Sequence, residues 1–219
     1  MALKKRKKEN ILVFGSHSDD FVIGAGGTIA NYSKKNKVYS VVFSYGEKSH
    51  PWLKEKFVQK VRAKEAQEAS KLLGCKTSIH DLKEMRFLED YAQKELEPKL
   101  LALIQRIKPV KIFTHSLEDP HPDHKAINQI TLDLWGKLDF QPKPELYVYS
   151  VWNPVSFKTS WPAFYVNITK TFGLKLKALK VFRSQRVHVA YPVFLLLFRA
   201  IKDGFKIRTL FAEKFYRIK

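Results

Sequence analysis

Four short apolar runs, at positions 11–15, 38–44, 110–114 and 146–151, are rich in β-branched residues and alternate with longer stretches that carry helical spacing. This alternation constrains the fold most, because strands that recur between helices build an α/β domain. The clearest helix is expected over 53–73, where Phe57, Val61, Ala69 and Leu72 return every three or four residues and Gly74 closes the run. Other helices are expected over 26–34, 93–107, 122–138 and 171–182. The chain has 219 residues, 45% of them hydrophobic and 13% aromatic, which is enough for one sizeable core. No repeat, low-complexity linker or composition break divides it, so residues 1–219 are expected to form one domain, with 1–9 as a flexible basic tail. The last forty residues are less regular and are expected to cap the sheet or to face a partner.

Composition removes several function classes. Cys75 is the single cysteine, so no internal disulfide forms, and the expected setting is a reducing cytoplasm. The opening "MALKKRKKEN" is basic like the start of a signal peptide, but the apolar run behind it lasts only from 11 to 14. The longest later run, "YPVFLLLFRAI", contains Arg199 and falls short of the ~20 residues that cross a bilayer. The net charge is +19, with the surplus in the first eight residues and the last third. Such a surplus suits an anionic partner. Nucleic acid is not the expected one, because no helix-turn-helix, zinc-finger or RNP-type signature accompanies the charge.

The chemistry gathers at two strand ends. In "ILVFGSHSDDFVIGAGGTI" an apolar strand runs into His17, Asp19 and Asp20, and the loop leaving the carboxyl end of a strand is where open α/β sheets bind ligands. The glycines that follow do not spell a dinucleotide fingerprint or a P-loop; they are expected to let the backbone turn tightly and the next helix pack closely on the strand. Imidazole and carboxylate are good zinc ligands, and a turn from strand to helix can bring His17 and Asp20 around one ion. Further donors come from "EDPHPDH", residues 118–124, after the strand at 110–114. Pro122 suits the first position of a helix, with His121 near its N-cap and His124 one turn in. Each motif alone is equally well a capped helix start or a solvated loop; two of them at two strand ends favour a metal site.

These residues resemble the PIG-L, or LmbE-like, zinc-dependent de-N-acetylases, whose motifs read A-H-P-D-D-E, R-x-x-E-x-x-x-A-x-x-x-L-G and H-P-D-H. Here they are "SHSDDF", "RAKEAQEASKLLG" and "HPDH", in that order, with looser echoes in "GGT", "SYGE", "FRSQ" and "FAEKF". The resemblance implies a Rossmann-like three-layer sandwich with a mostly parallel sheet. It implies that His17, Asp20 and His124 hold one zinc, that Asp19 is the general base and that His121 stabilises the tetrahedral intermediate. Arg62 is a candidate substrate contact, with pairing to Glu65 as the structural alternative, and Asp119 is a candidate to orient an imidazole, with an ordinary turn aspartate as the alternative. Trp52, Trp152 and Trp161 are candidate sugar-stacking residues. Ser18 stands where the family has proline, Phe21 where it has glutamate and Arg183 where it often has histidine, departures that point to altered substrate choice or reduced activity.

The expected function is removal of acetyl from an N-acetylated amino sugar. The alternative is a weakly active or non-catalytic relative that binds an anionic partner through its basic surface. "LLLFRAIKDGFKIR", residues 195–208, interleaves apolar and basic residues, so peripheral contact with an anionic membrane is a further expectation, with packing on the core as the competing one. The sequence leaves room for a homo-oligomer.

Overall fold

In the computed structural model, residues 8–46, 54–153, 160–185 and 193–219 are described. In chain order the elements are β1 (Asn10–Gly15), α1 (Asp20–Tyr32), β2 (Lys37–Val42), α2 (Glu55–Leu73), β3 (Cys75–Ile79), α3 (Phe87–Gln93), α4 (Leu96–Ile107), β4 (Lys111–His115), α5 (Pro122–Gly136), β5 (Glu145–Tyr149), β6 (Ala163–Asn167), α6 (Phe172–Leu179), α7 (Val193–Lys206) and β7 (Ala212–Arg217). The strands form one sheet in the order β3-β2-β1-β4-β5-β7-β6. The first five are parallel, and β7 runs antiparallel to both its neighbours.

The apolar runs at 11–15, 38–44, 110–114 and 146–151 supply four central strands. Their side chains alternate between two cores: Ile11 and Val13 enter one apolar cluster while Leu12 and Phe14 enter the other. A strand buried on both faces reads as continuous apolar sequence, and helices above and below complete three layers. The chain leaves β1 through α1 toward β2 on one side, and β4 pairs with β1 on the other. The carboxyl ends of β1 and β4 therefore border the crevice at which the strand order reverses.

Three expectations are corrected. Helix α1 begins at Asp20, six residues before the expected start at Gly26, so Asp19 caps a helix and Asp20 opens it instead of lying on a loop. The glycines serve close packing, as expected, but from inside the helix: a methyl group at Gly24 would lie 2.1 Å from the Tyr149 ring and one at Gly27 2.8 Å from Ile168. The helix expected over 93–107 begins later, at Leu96 of α4, and a separate helix α3 that was not expected precedes it, the two divided at Glu95, whose φ is 48°. Strands β3, β6 and β7 were not anticipated, and the last forty residues contribute α7 and β7 rather than an irregular cap. Helix α5 ends at Gly136, and α6 spans Phe172–Leu179 within the wider run expected. Leu53, Trp52, Tyr191 and the tail residues 1–7 lie outside the described residues.

Candidate metal centre and active site

β1 delivers His17 to the end of the sheet, and the main chain turns at once into α1. The turn is fixed by Asp20 itself, whose Oδ2 accepts the His17 backbone N–H at 2.7 Å. That oxygen also lies 3.3 Å from His17 Nδ1, His115 Nε2 and His124 Nε2. A buried carboxylate facing three imidazoles is held well below the usual carboxylate range: burial works against the charge, and His124 and His115 more than offset it.

β4 and α5 supply the other wall. Pro122 opens α5, and His121 is its N-cap, with Nδ1 accepting the Asp123 N–H at 3.2 Å. With Nδ1 so engaged, a neutral His121 carries its proton on Nε2. Burial and the nearby His17 and His124 hold its pKa below the ordinary histidine value. One turn in, His124 is fully buried. Asp119 Oδ1 lies 2.9 Å from His124 Nδ1, close enough for an ion pair although off the line of a hydrogen bond. Asp119 is itself fixed, since its Oδ2 accepts the Val151 and Trp152 N–H groups at 3.0 Å each. Burial opposes its charge, but His124 and these amides pull its pKa down to about 2.

Among the described residues, three overlapping groups could hold a cation: His17 with Asp20 and His124, His17 with His121 and Asp123, and His115 with Asp119 and His124. The first fits best. His121 Nδ1 is engaged by the α5 amide, and His115 Nε2 accepts the Ser16 N–H at 2.9 Å. His124 Nε2, like His115 Nδ1, is buried without a hydrogen-bond partner among the described residues, and of these two nitrogens it is His124 Nε2 that faces Asp20. The other nitrogen of each ring in this group meets a carboxylate, Asp119 for His124 and Asp123 at 3.1 Å for His17. Carboxylates in those places orient ligand imidazoles. Burial disfavours charge on both rings, yet these carboxylates and Asp20 raise His17 well above its ordinary value and His124 to about 9. A cation among the three donors would take the place of those protons.

Asp19 differs from Asp20. It is half-buried and joins none of the three groups, and burial followed by repulsion from Asp20 pushes its pKa up to about 6.

The remaining motif residues hold the surrounding loops. Arg62, 2% exposed, donates from Nη1 to the Tyr45 and Gly46 carbonyls of "SYGE". Glu65 accepts the Ser184 N–H at 2.8 Å and its hydroxyl at 2.5 Å. Ser18 donates to Gln185 Oε1 at 3.1 Å, and Phe21 is buried in the core. Helix α2 thus joins two loops around the site, and "FRSQ" touches the first motif. Trp152 is exposed and Trp161 half-buried. Two neighbours were not anticipated. His115 is the last residue of the apolar β4 run, and Asp123 lies between the two histidines of "HPDH".

Residues 12–135, more than half of the chain, match the PIG-L family of GlcNAc-PI de-N-acetylases. The chain belongs to this family. It is 26% identical over 188 residues to the uncharacterized deacetylase YaiS of Escherichia coli K12, covering 81% of this chain and 92% of that protein. Among solved structures it is similar to GalB, the 4-carboxy-2-hydroxymuconate hydratase of Pseudomonas putida KT2440, with a TM-score of 0.82 at 22% identity over 96% of each chain. It is also similar to the N,N'-diacetylchitobiose deacetylase of Pyrococcus horikoshii, with a TM-score of 0.79 at 24% identity over 97% of this chain and 85% of that one. The PIG-L fold therefore carries both a deacetylase and a hydratase among these neighbours. No helix among the described residues is long and apolar enough to cross a membrane.

Proposed function

We propose that this chain is a zinc-dependent hydrolase that removes the N-acetyl group from an N-acetylglucosamine-containing substrate. The observation that carries the proposal is the buried His124 Nε2, which has no hydrogen-bond partner among the described residues and faces Asp20 at 3.3 Å beside His17. His17, Asp20 and His124 would hold the ion, a two-histidine, one-carboxylate set that suits zinc with an open position. When bound, zinc supplies Lewis-acid polarisation and lowers the pKa of water toward neutrality.

The chain's own residues perform the proton transfers. Asp19, with a pKa of about 6, takes a proton from the attacking water and returns it to the leaving nitrogen, and a carboxyl poised near neutrality suits both directions. His121 stands at the partly exposed rim with its Nε2–H available, and donates to the oxygen that becomes negative as the acetyl carbon turns tetrahedral. Asp119 and Asp123 hold the His124 and His17 rings. Arg62 and Glu65 fix the two loops that frame the substrate.

The likeness to GalB supports a second reading, a hydratase in which the same water is added without amide cleavage. One assay separates them. Zinc-loaded protein incubated with N-acetylglucosamine, N,N'-diacetylchitobiose and 4-carboxy-2-hydroxymuconate should release free amine and acetate in equal amounts from an N-acetyl sugar and leave the unsaturated acid unchanged. Hydration of the acid with no amine from either sugar would replace the deacetylase reading with the hydratase one.

A further inference from the structure

Helix α7 turns one apolar face toward the protein and a second one away from it. Leu196, Ala200 and Gly204 are buried, while Phe194, Phe198 and Phe205 are 74%, 61% and 78% exposed. With half-buried Ile201 the three phenylalanines follow i, i+4, i+7 and i+11, a continuous stripe along one side of the helix. Lys202 and Lys206 lie along the flank of that stripe, and Arg208 follows the helix. A contiguous aromatic surface of this kind marks a site of interaction. Packing on the core, the expectation that competed with membrane contact for 195–208, thus describes one face of the helix and leaves the other uncovered.

We propose that this stripe docks on the surface of an anionic membrane, a property independent of the reaction at the metal centre. Charge selects the occupant. A second copy of a chain with net charge +19 would bring Lys202 and Lys206 against like charges, whereas anionic headgroups pair with them while the phenylalanines enter the headgroup and acyl boundary. The helix is also anchored to the site: Arg199 donates to the Ser150 and Val151 carbonyls at 2.9 and 3.2 Å, in the segment whose Val151 and Trp152 amides hold Asp119. Docking through α7 would set the crevice at the ends of β1 and β4 close to the lipid surface.

Sedimentation with vesicles tests the proposal. The protein should pellet with phosphatidylglycerol vesicles at low salt, less at high salt, and remain in solution with phosphatidylcholine vesicles. Phe194→Ser/Phe198→Ser/Phe205→Ser should weaken partition by at least about tenfold while circular dichroism and Tm stay unchanged. Lys34→Gln/Lys35→Gln, beyond the far end of α1, should still pellet. Protein that stays in solution with phosphatidylglycerol at low salt would overturn the proposal, and so would a triple variant that binds like wild type, since net charge alone would then explain the binding. A wild-type dimer that the triple variant converts to a monomer, without vesicle binding, would assign the stripe to a second copy instead.

Discussion

Asp19 and Asp20 are adjacent and chemically identical, yet the fold gives them opposite surroundings. Asp20 Oδ2 meets three imidazoles at 3.3 Å, and its charge is strongly favoured. Asp19 has no such partners and keeps its proton to about pH 6 because it is buried beside another carboxylate. Asp19→Asn is therefore expected to retain zinc and lose turnover by roughly 10²- to 10⁴-fold, the range for a general base. Asp20→Asn should lose zinc itself, and elemental analysis beside the rate distinguishes the two. If Asp19→Asn emptied the site and Asp20→Asn kept it filled, the two roles would have to be exchanged. Spacing at two strand ends made a candidate metal site legible in the sequence, and the choice of His17, Asp20 and His124 within it came from the family resemblance. His115 and Asp123 were harder to see, because their partners, Ser16 and His17, lie 99 and 106 residues away along the chain. Only the pairing of β1 with β4 brings them together.

At the scale of elements, α1 shows why its beginning was misread. Its glycines, expected to serve the turn and the packing of the following helix, lie inside the helix itself and let Tyr149 and Ile168 approach it closely. Farther along, Lys175 of α6 donates to the Ile23 carbonyl at 2.7 Å and to Glu213 of β7 at 2.6 Å, and Glu213 accepts the Gly27 and Thr28 N–H groups. Burial holds the Lys175 pKa below its ordinary value despite Glu213. Removing one partner of a buried pair strands the other charge, so Lys175→Met should destabilise the protein by about 3–5 kcal/mol in denaturant unfolding. Lys175→Met/Glu213→Leu should recover part of that loss; a single variant as stable as wild type would show that the pair does not hold α1. The missed strands have related causes. β3 buries neither face fully, and β7, with the sequence "AEKFYR", places Glu213 in the interior, so neither shows the continuous apolar run that revealed the central strands.

Across the whole molecule, the parallel half of the sheet builds the site and the antiparallel half secures it. β1 and β4 end at one crevice and present His17, His115 and, through α5, His121 and His124, while β7 locks α1 from behind with Glu213 and α7 hangs from the loop beyond β5. Motifs far apart in sequence are joined in space: α2 binds "SYGE" through Arg62 and "FRSQ" through Glu65, and Ser18 reaches Gln185. The α/β architecture followed from the alternation of runs, and the candidate metal-binding constellation from two short motifs; the antiparallel edge and the buried ion pair depend on contacts that no local pattern encodes. The central claim is that His17, Asp20 and His124 hold one ion on which hydrolysis depends. Its most direct test is acetate release from N,N'-diacetylchitobiose as zinc is added back to chelator-treated protein. The rate should rise from near zero and level off at about one zinc per chain, as three protein ligands with an open position require. Acetate release that is undiminished by chelation and indifferent to added zinc would contradict the account.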